Sequence, residues 1–327
     1  MPLLEVSELS VIFDTQRGPL RAVDHISFSM EQGETLGIVG ESGSGKSVTS
    51  LALMGLLPPQ AKIEQKKVSF NGVSLFALSE KERRRVRGKE MAMVFQDPMT
   101  SLNPCFTVEF QIGEVLRFHK GMKGSKERRR ETIKVLERVG IADPESRLPS
   151  FSHELSGGMA QRVMIAMAIA SDPKLLIADE PTTALDVTIQ ALILELLRDL
   201  QRSYGMGLIL ITHDLGIVAE MAKRLAVMYA GQMVETGETK QVLLQPAHPY
   251  TESLLQCLPS RNAGIKDKLP TIPGMVPDLV NRPTGCQLNP RCKYTDGTCR
   301  SFEPETFTIG ERLVKCFRPL MPAGGVA

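Results

Sequence analysis

The feature that most constrains this chain is Gly40-Glu41-Ser42-Gly43-Ser44-Gly45-Lys46-Ser47, an instance of G-x-x-x-x-G-K-[ST]. A short apolar run, Thr35-Leu36-Gly37-Ile38-Val39, precedes it, and a stretch without helix breakers, residues 47–57, follows. Strand, glycine-rich turn and helix in that order set backbone N–H groups and a helix N-terminus around one anion. The glycines let those N–H groups turn inward, so residues 40–45 read as a cradle for phosphate oxygens. Lys46 would bridge the β- and γ-phosphates of a nucleotide, and the Ser47 hydroxyl would ligate Mg²⁺.

The surrounding pattern agrees. Residues 4–9 and 26–30 alternate apolar and polar positions, as half-buried strands do. Residues 175–178 and 208–212 are continuous apolar runs that suit buried parallel strands. Between them Ile189, Leu192, Ile193, Leu196, Leu197 and Leu200 share one helix face. Residues 109–119 and 125–140 read as charged helices, and Ala230-Gly231 as the turn of a hairpin. The expectation is an α/β core with a mostly parallel sheet.

Leu175-Leu-Ile-Ala-Asp179-Glu180 ends a buried strand in two acids. Asp179 is placed for the Mg²⁺ shell and Glu180 for the water that attacks the terminal phosphate. Leu155-Ser156-Gly157-Gly158-Met159-Ala160-Gln161-Arg162 opens an apolar helix on a serine cap and two glycines, a second anion-binding helix start. Paired glycines weaken a helix start unless backbone must approach a ligand.

That octapeptide resembles the signature sequence of ABC-transporter ATPases, and the resemblance runs over about residues 3–237. It implies a P-loop NTPase core of the ABC ATPase kind, with a mixed sheet and a helical subdomain over about residues 97–172. Two such subunits would pair head to tail, Ser156, Gly157 and Gly158 of each capping the ATP on the other's phosphate loop. By the same resemblance Gln96, in Val94-Phe-Gln96-Asp-Pro98, is the glutamine that senses Mg²⁺ and the membrane partner. Ser47, Gln96 and Asp179 would then be the Mg²⁺ ligands. Ala184-Leu185-Asp186 matches the loop at the dimer interface, His213 the switch histidine that holds the γ-phosphate, and Phe13 the aromatic that stacks on adenine.

Three segments are similar to the oligopeptide/dipeptide permease branch: Gln96-Asp-Pro-Met-Thr-Ser-Leu-Asn-Pro104, Ser-Gly-Gly-Met159 and His248-Pro-Tyr-Thr-Glu-Ser-Leu254. The branch implies a subunit that powers import of dipeptides or short peptides. Its partners would be a second, related ATPase subunit in a heterodimer, two integral-membrane permease subunits and, indirectly, a periplasmic peptide-binding protein. It would sit peripherally on the cytoplasmic face of the inner membrane. The alternatives are an importer of nickel or another small solute, and a soluble ABC ATPase acting on nucleic acid or ribosomes. The 110 residues from Lys46 to Ser156 leave no room for the long coiled coils of DNA-repair relatives, and one core, not two, speaks against a translational factor.

Composition excludes further classes. With 39 Lys and Arg against 37 Asp and Glu, the net charge of +2 supplies no whole-chain pull toward nucleic acid or anionic lipid. Residues 81–89 and 126–131 are basic but carry acids and no interleaved aromatics, which suits solvated helix faces. No apolar run approaches the ~18 residues of a spanning helix. Met1-Pro2-Leu3-Leu4-Glu5 lacks the basic and apolar regions of a signal peptide, so a cytosolic chain is expected.

The division expected is an ATPase domain over 1–237 and a loop-rich extension over 238–327. Eight prolines within residues 246–290 give the extension little periodicity, so it needs a staple. Cys286, Cys292, Cys299 and Cys316 are spaced neither as a zinc ribbon nor as a ferredoxin run. Loops can still bring four thiolates around zinc or an iron–sulfur cluster, and the other reading is reduced cysteines in a core. Resemblance to peptide permeases with this extension favours a [4Fe–4S] cluster, with Zn²⁺ as the alternative.

Overall fold

The computed structural model describes residues 1–183, 185–258 and 271–320. Ala184, one position of the expected interface loop, lies outside them. In chain order the first elements are β1 (Leu4–Thr15), β2 (Gly18–Met30), β3 (Thr35–Val39), α1 (Lys46–Met54), β4 (Ala61–Glu64), β5 (Lys67–Phe70), β6 (Val73–Ser74), α2 (Glu80–Val86) and β7 (Met91–Val94). Next come α3 (Pro98–Ser101), α4 (Val108–His119), α5 (Ser125–Arg138), α6 (Pro144–Arg147), α7 (Gly157–Ile169), β8 (Leu175–Asp179), α8 (Val187–Tyr204), β9 (Gly207–Ile211) and α9 (Leu215–Met221). The remaining elements are β10 (Arg224–Tyr229), β11 (Gln232–Glu238), α10 (Thr239–Leu244), α11 (Pro249–Gln256), α12 (Gly297–Ser301), β12 (Phe307–Ile309) and β13 (Arg312–Val314).

The chain forms two compact units. The first comprises Met1–Leu3, Met30–Thr35 and Phe70–Ile211. Its sheet is parallel, with β8 between β7 and β9, and every residue of the three strands is buried. Such continuous apolar strands are what a parallel sheet covered on both faces requires. Helices α4, α5 and α7 pack on one another through fully buried Ile112, Leu116, Val135, Leu136, Val163 and Ile165. Helix α2 instead buries none of its residues, and Arg83, Arg84 and Arg87 all pair with Glu80. Two of these arginines lie on the helix and Arg87 at its C-cap, and all three share the one carboxylate.

The second unit comprises Leu4–Ser29, Leu36–Ser69 and Thr212–Ala327. In one sheet β1 lies between β2 and β5 and also pairs with β4. In the other, β3 runs parallel to β10, and β10, β11, β13 and β12 follow as antiparallel neighbours. The turn between β10 and β11 is Ala230-Gly231, with φ of 46° and 83°. Two successive positive φ values match the twist of a two-residue hairpin. The strands β12 and β13 were absent from the sequence expectation, because three-residue strands show no alternation. The extension therefore shares a sheet and a core with the strand leading into the phosphate loop: Val39, Val227, Tyr229, Tyr250, Leu255 and Leu288 are buried together.

Among the described residues no helix is long and apolar enough to cross a membrane.

Candidate functional site

The phosphate loop leaves β3 and ends at α1. Helix α1 starts on Gly45, at φ 100°, with no side-chain cap, so no side chain competes with a ligand for its first turn. A Cβ on Gly40 would fall 2.2 Å from the Met228 carbonyl oxygen, and one on Gly45 2.5 Å from that of Ala22. Gly43, at φ 77°, has nothing within 4 Å of where its Cβ would be. The cradle is thus walled by backbone on one side and open on the other. Lys46 is buried, and its Nζ donates to the carbonyls of Gly40 at 2.8 Å and Glu41 at 3.0 Å. Ser42 and Ser47 are exposed, whereas Ser44 is buried and its carbonyl accepts the Gly231 N–H at 3.0 Å. Uncapped N–H groups, an ammonium and a free-standing hydroxyl fit a polyphosphate with Mg²⁺.

In the first unit, the paired strands β7 and β8 carry Gln96 and the two acids at one end. Asp179 is buried at the last position of β8. Glu180 follows at φ 46°, a left-handed conformation that is costly for a residue with a Cβ and that turns the chain sharply. Its Oε2 accepts from Gln96 Nε2 at 3.3 Å and from the Thr183 hydroxyl at 2.8 Å. Two donors thus fix the direction of the Glu180 carboxylate.

The signature segment opens α7 as expected. The Ser156 hydroxyl accepts the Met159 N–H at 3.3 Å, and Ser156 and Gly157 are exposed. Gly158 also has a packing reason, since a Cβ there would lie 3.0 Å from the Ile189 side chain. Gln161 Nε2 donates to the Pro181 carbonyl at 2.7 Å and so ties this helix to the loop after Glu180.

Phe13 is half-buried on β1, opposite Ala61 of β4. His213 is exposed directly after β9, where the Thr212 hydroxyl accepts the Asp214 N–H at 3.0 Å. Sequence reasoning missed Thr183 and Gln161, and also Tyr250 and Arg291, which reach the phosphate loop. The Tyr250 hydroxyl accepts the Glu41 N–H at 3.0 Å, and Arg291 holds the Glu41 carboxylate at 2.8 and 3.0 Å. Only the segment around His248 carried a signal, and that signal was a resemblance rather than a contact.

The chain is 57% identical over 326 residues to the dipeptide transport ATP-binding protein DppD of Escherichia coli K12, covering 99% of each. It belongs to the ABC transporter family. The family's profile matches residues 23–183, and that of the oligopeptide/dipeptide transporter C-terminal region matches residues 234–299. DppD of Haemophilus influenzae is 56% identical, over 99% of this chain and 98% of its own. The oligopeptide transport ATP-binding protein OppD of Bacillus subtilis is 52% identical, over 94% and 86%. Among solved structures, the dimeric post-hydrolysis state of the ATP-binding cassette MJ0796 with ADP and Pi superposes at a TM-score of 0.65. It is 25% identical and covers 72% of this chain and 98% of that one. The fold is accordingly that of an ABC ATPase, the subunit that couples ATP hydrolysis to transport.

One expectation is overturned. Cys286, Cys292, Cys299 and Cys316 do not stand as an iron–sulfur or zinc centre. Among the described residues no group of three or more His, Cys, Asp or Glu side chains is arranged to hold a metal. All four thiols are free, and Cys286 and Cys292 pack beside the apolar cluster of Tyr229, Tyr250 and Leu288. Burial first, and the neighbouring thiols after it, push Cys286 up to about 11 and Cys316 up to about 12.

Proposed function

We propose that this chain is the ATP-binding and ATP-hydrolysing subunit that powers import of dipeptides or short peptides through a membrane ABC transporter. The observation that carries the ATP reading is the open, uncapped start of α1, with the Lys46 ammonium parked on the loop's own carbonyls. Residues 40–47 grip the phosphates, Ser47, Asp179 and Gln96 attend Mg²⁺, Glu180 activates water and His213 steadies the γ-phosphate. Phe13 stacks on adenine. Ser156, Gly157 and Gly158 close over the nucleotide of a second, related ATPase subunit. The peptide reading is supported by the 57% identity to a dipeptide transport ATP-binding protein and by the match over residues 234–299. The partners are two membrane permease subunits and, through them, a periplasmic peptide-binding protein. The chain works peripherally at the cytoplasmic face of the inner membrane, as a nucleotide-binding domain over 1–237 and an extension over 238–327.

In the assembled transporter, Glu180→Gln leaves ATP binding intact and lowers turnover by about 10²–10⁴-fold. Lys46→Ala weakens ATP binding itself. Hydrolysis by Glu180→Gln at the wild-type rate would remove Glu180 from the chemistry. Uptake of a labelled dipeptide into vesicles carrying the transporter, with nickel uptake measured beside it, tests the cargo. ATP-driven nickel uptake without peptide uptake would replace the peptide reading.

A further inference from the structure

Three groups of Glu41 are taken at once. Its N–H goes to the Tyr250 hydroxyl at 3.0 Å, its carbonyl takes the Lys46 ammonium at 3.0 Å, and its carboxylate takes both terminal nitrogens of Arg291 at 2.8 and 3.0 Å. The last is a two-pronged guanidinium–carboxylate pair, the most directional ion pair available to a side chain. Arg291 is itself held from behind. Its Nε donates to the Pro273 carbonyl at 2.9 Å, Nη1 also reaches the Tyr229 hydroxyl at 3.4 Å, and its guanidinium carbon stands 5.8 Å from the Tyr229 ring centre. Tyr229 and Tyr250 pack with ring centres 4.6 Å apart, and both are sealed from water.

The Arg291 side chain is only 3% exposed. Burying a guanidinium is costly unless its donors are matched, and here the matching partner is a residue of the phosphate loop. Glu41 lies next to Gly40, where the backbone cannot accept a Cβ, so the loop bends about a point fixed from the extension.

We propose that Arg291 and Tyr250 are positioning residues for the ATP site: the extension clamps Glu41 and so holds the phosphate loop in its phosphate-gripping shape. Neither residue touches the nucleotide. Each acts through Glu41, and Glu41 through the carbonyl that shares the Lys46 ammonium. A loop released at Glu41 has more shapes to give up on binding, so affinity falls while the chemistry at Glu180 is unaltered.

This inference rests on the reading of residues 40–47 as the nucleotide site, and the test keeps the two apart. The probe is methylanthraniloyl-ATP with Mg²⁺, titrated into the purified full-length chain. Arg291→Gln is expected to raise Kd about tenfold, a fraction of what loss of a charge-assisted pair can cost. Tyr250→Phe raises it by about threefold to tenfold, and Arg291→Lys, which keeps one prong, falls between wild type and Arg291→Gln. Glu41→Gln matches Arg291→Gln, and the double variant is no worse than either, because both cut one link. In the assembled transporter Arg291→Lys and Tyr250→Phe raise the KM for ATP and leave kcat within about twofold, a split that general loss of fold would not give. If Arg291→Gln does not fold, Arg291→Lys and Tyr250→Phe carry the test. Unchanged Kd in those two variants, or additive losses in the double variant, would overturn the clamp. Unchanged Kd in Lys46→Ala would instead overturn the site reading beneath it.

Discussion

Arg129 meets Glu109 at 3.0 Å where α5 faces α4 in the first unit, and the two side chains remain 49% and 38% exposed. In the second unit Arg312 meets Glu235 at 3.6 Å with exposures of 6% and 0%, and Arg282 meets Asp24 at 2.7 Å with 17% and 10%. Helices α4 and α5 have apolar stripes to bury, so a pair such as this one faces water and little rests on it. The proline-rich extension has only short helices, whose Val242, Tyr250 and Leu255 join the core of its own unit. It is fastened to the β-strands of its own unit by arginines that reach acids far away in sequence, and this is the staple that the cysteines do not provide. The exposed pair decorates packing; the sealed pairs help hold the extension to its unit.

The strongest attack on that contrast is Arg312→Met. Methionine keeps a stem against Gly237, where the Arg312 methylenes already press, and deletes the charge together with the bond that Nη1 donates to the Gln245 carbonyl. Glu235 would keep the N–H groups of Ala247 at 2.8 Å and His248 at 2.9 Å but lose its cation. Breaking a buried pair from one side costs about 3–5 kcal/mol, which urea unfolding at pH 8 would show. Burial, the largest influence on Glu235, already pushes its carboxyl above the usual range. A carboxyl raised in the folded state adds stability at low pH and loses it as pH rises through its folded value. The penalty for Arg312→Met is therefore largest at pH 8 and shrinks as the pH falls through the raised folded value of Glu235. A variant as stable as wild type at pH 8 would mean the buried pair only breaks even with an apolar contact.

A smaller effect comes from the neighbouring residue His248, enclosed at 1% exposure, whose Nδ1 accepts the Tyr250 N–H at 3.1 Å and caps α11. Burial lowers its pKa to about 3, so the folded ring stays neutral. In the unfolded chain it protonates near its ordinary value of about 6.5. Between those values the unfolded state holds the extra proton, so stability is complete above the unfolded value and drains away as pH falls toward the folded one. At pH 5 the loss from this one ring is about 2 kcal/mol. His248→Asn keeps a capping acceptor that does not titrate, and its stability should fall less between pH 7 and pH 5. Parallel pH profiles for the two proteins would remove His248 from the account.

The parts of the molecule legible in the sequence are those with local causes. β3, the phosphate loop, α1, β8 and the stripe of α8 each follow from apolar period or from glycine spacing within a dozen residues. The 3.3 Å contact of Gln96 with Glu180 joins residues 84 apart, and nothing in a glutamate announces a positive φ. Arg282 and Arg291 look like ordinary loop arginines, because their acids lie 258 and 250 residues away. The four cysteines misled for the same reason. Their spacing within loops says nothing of the apolar neighbours that keep Cys286 and Cys292 as thiols.

Arg129→Gln is the smallest change and the control for the whole contrast. Its partner Glu109 belongs to the first turn of α4, and both side chains stay open to water, so their attraction is weakened by solvent. Holding two long side chains in one geometry also costs rotamer entropy of about the size of the attraction. The expected change in unfolding free energy is at most about 0.5 kcal/mol, and it should vanish in 1 M NaCl, where screening acts over about 3 Å. Arg312→Met, sealed from solvent, should keep most of its penalty in the same salt. If instead the two variants lost similar stability and responded alike to salt, burial would not be what separates the two units, and the extension would owe its order to its apolar contacts alone.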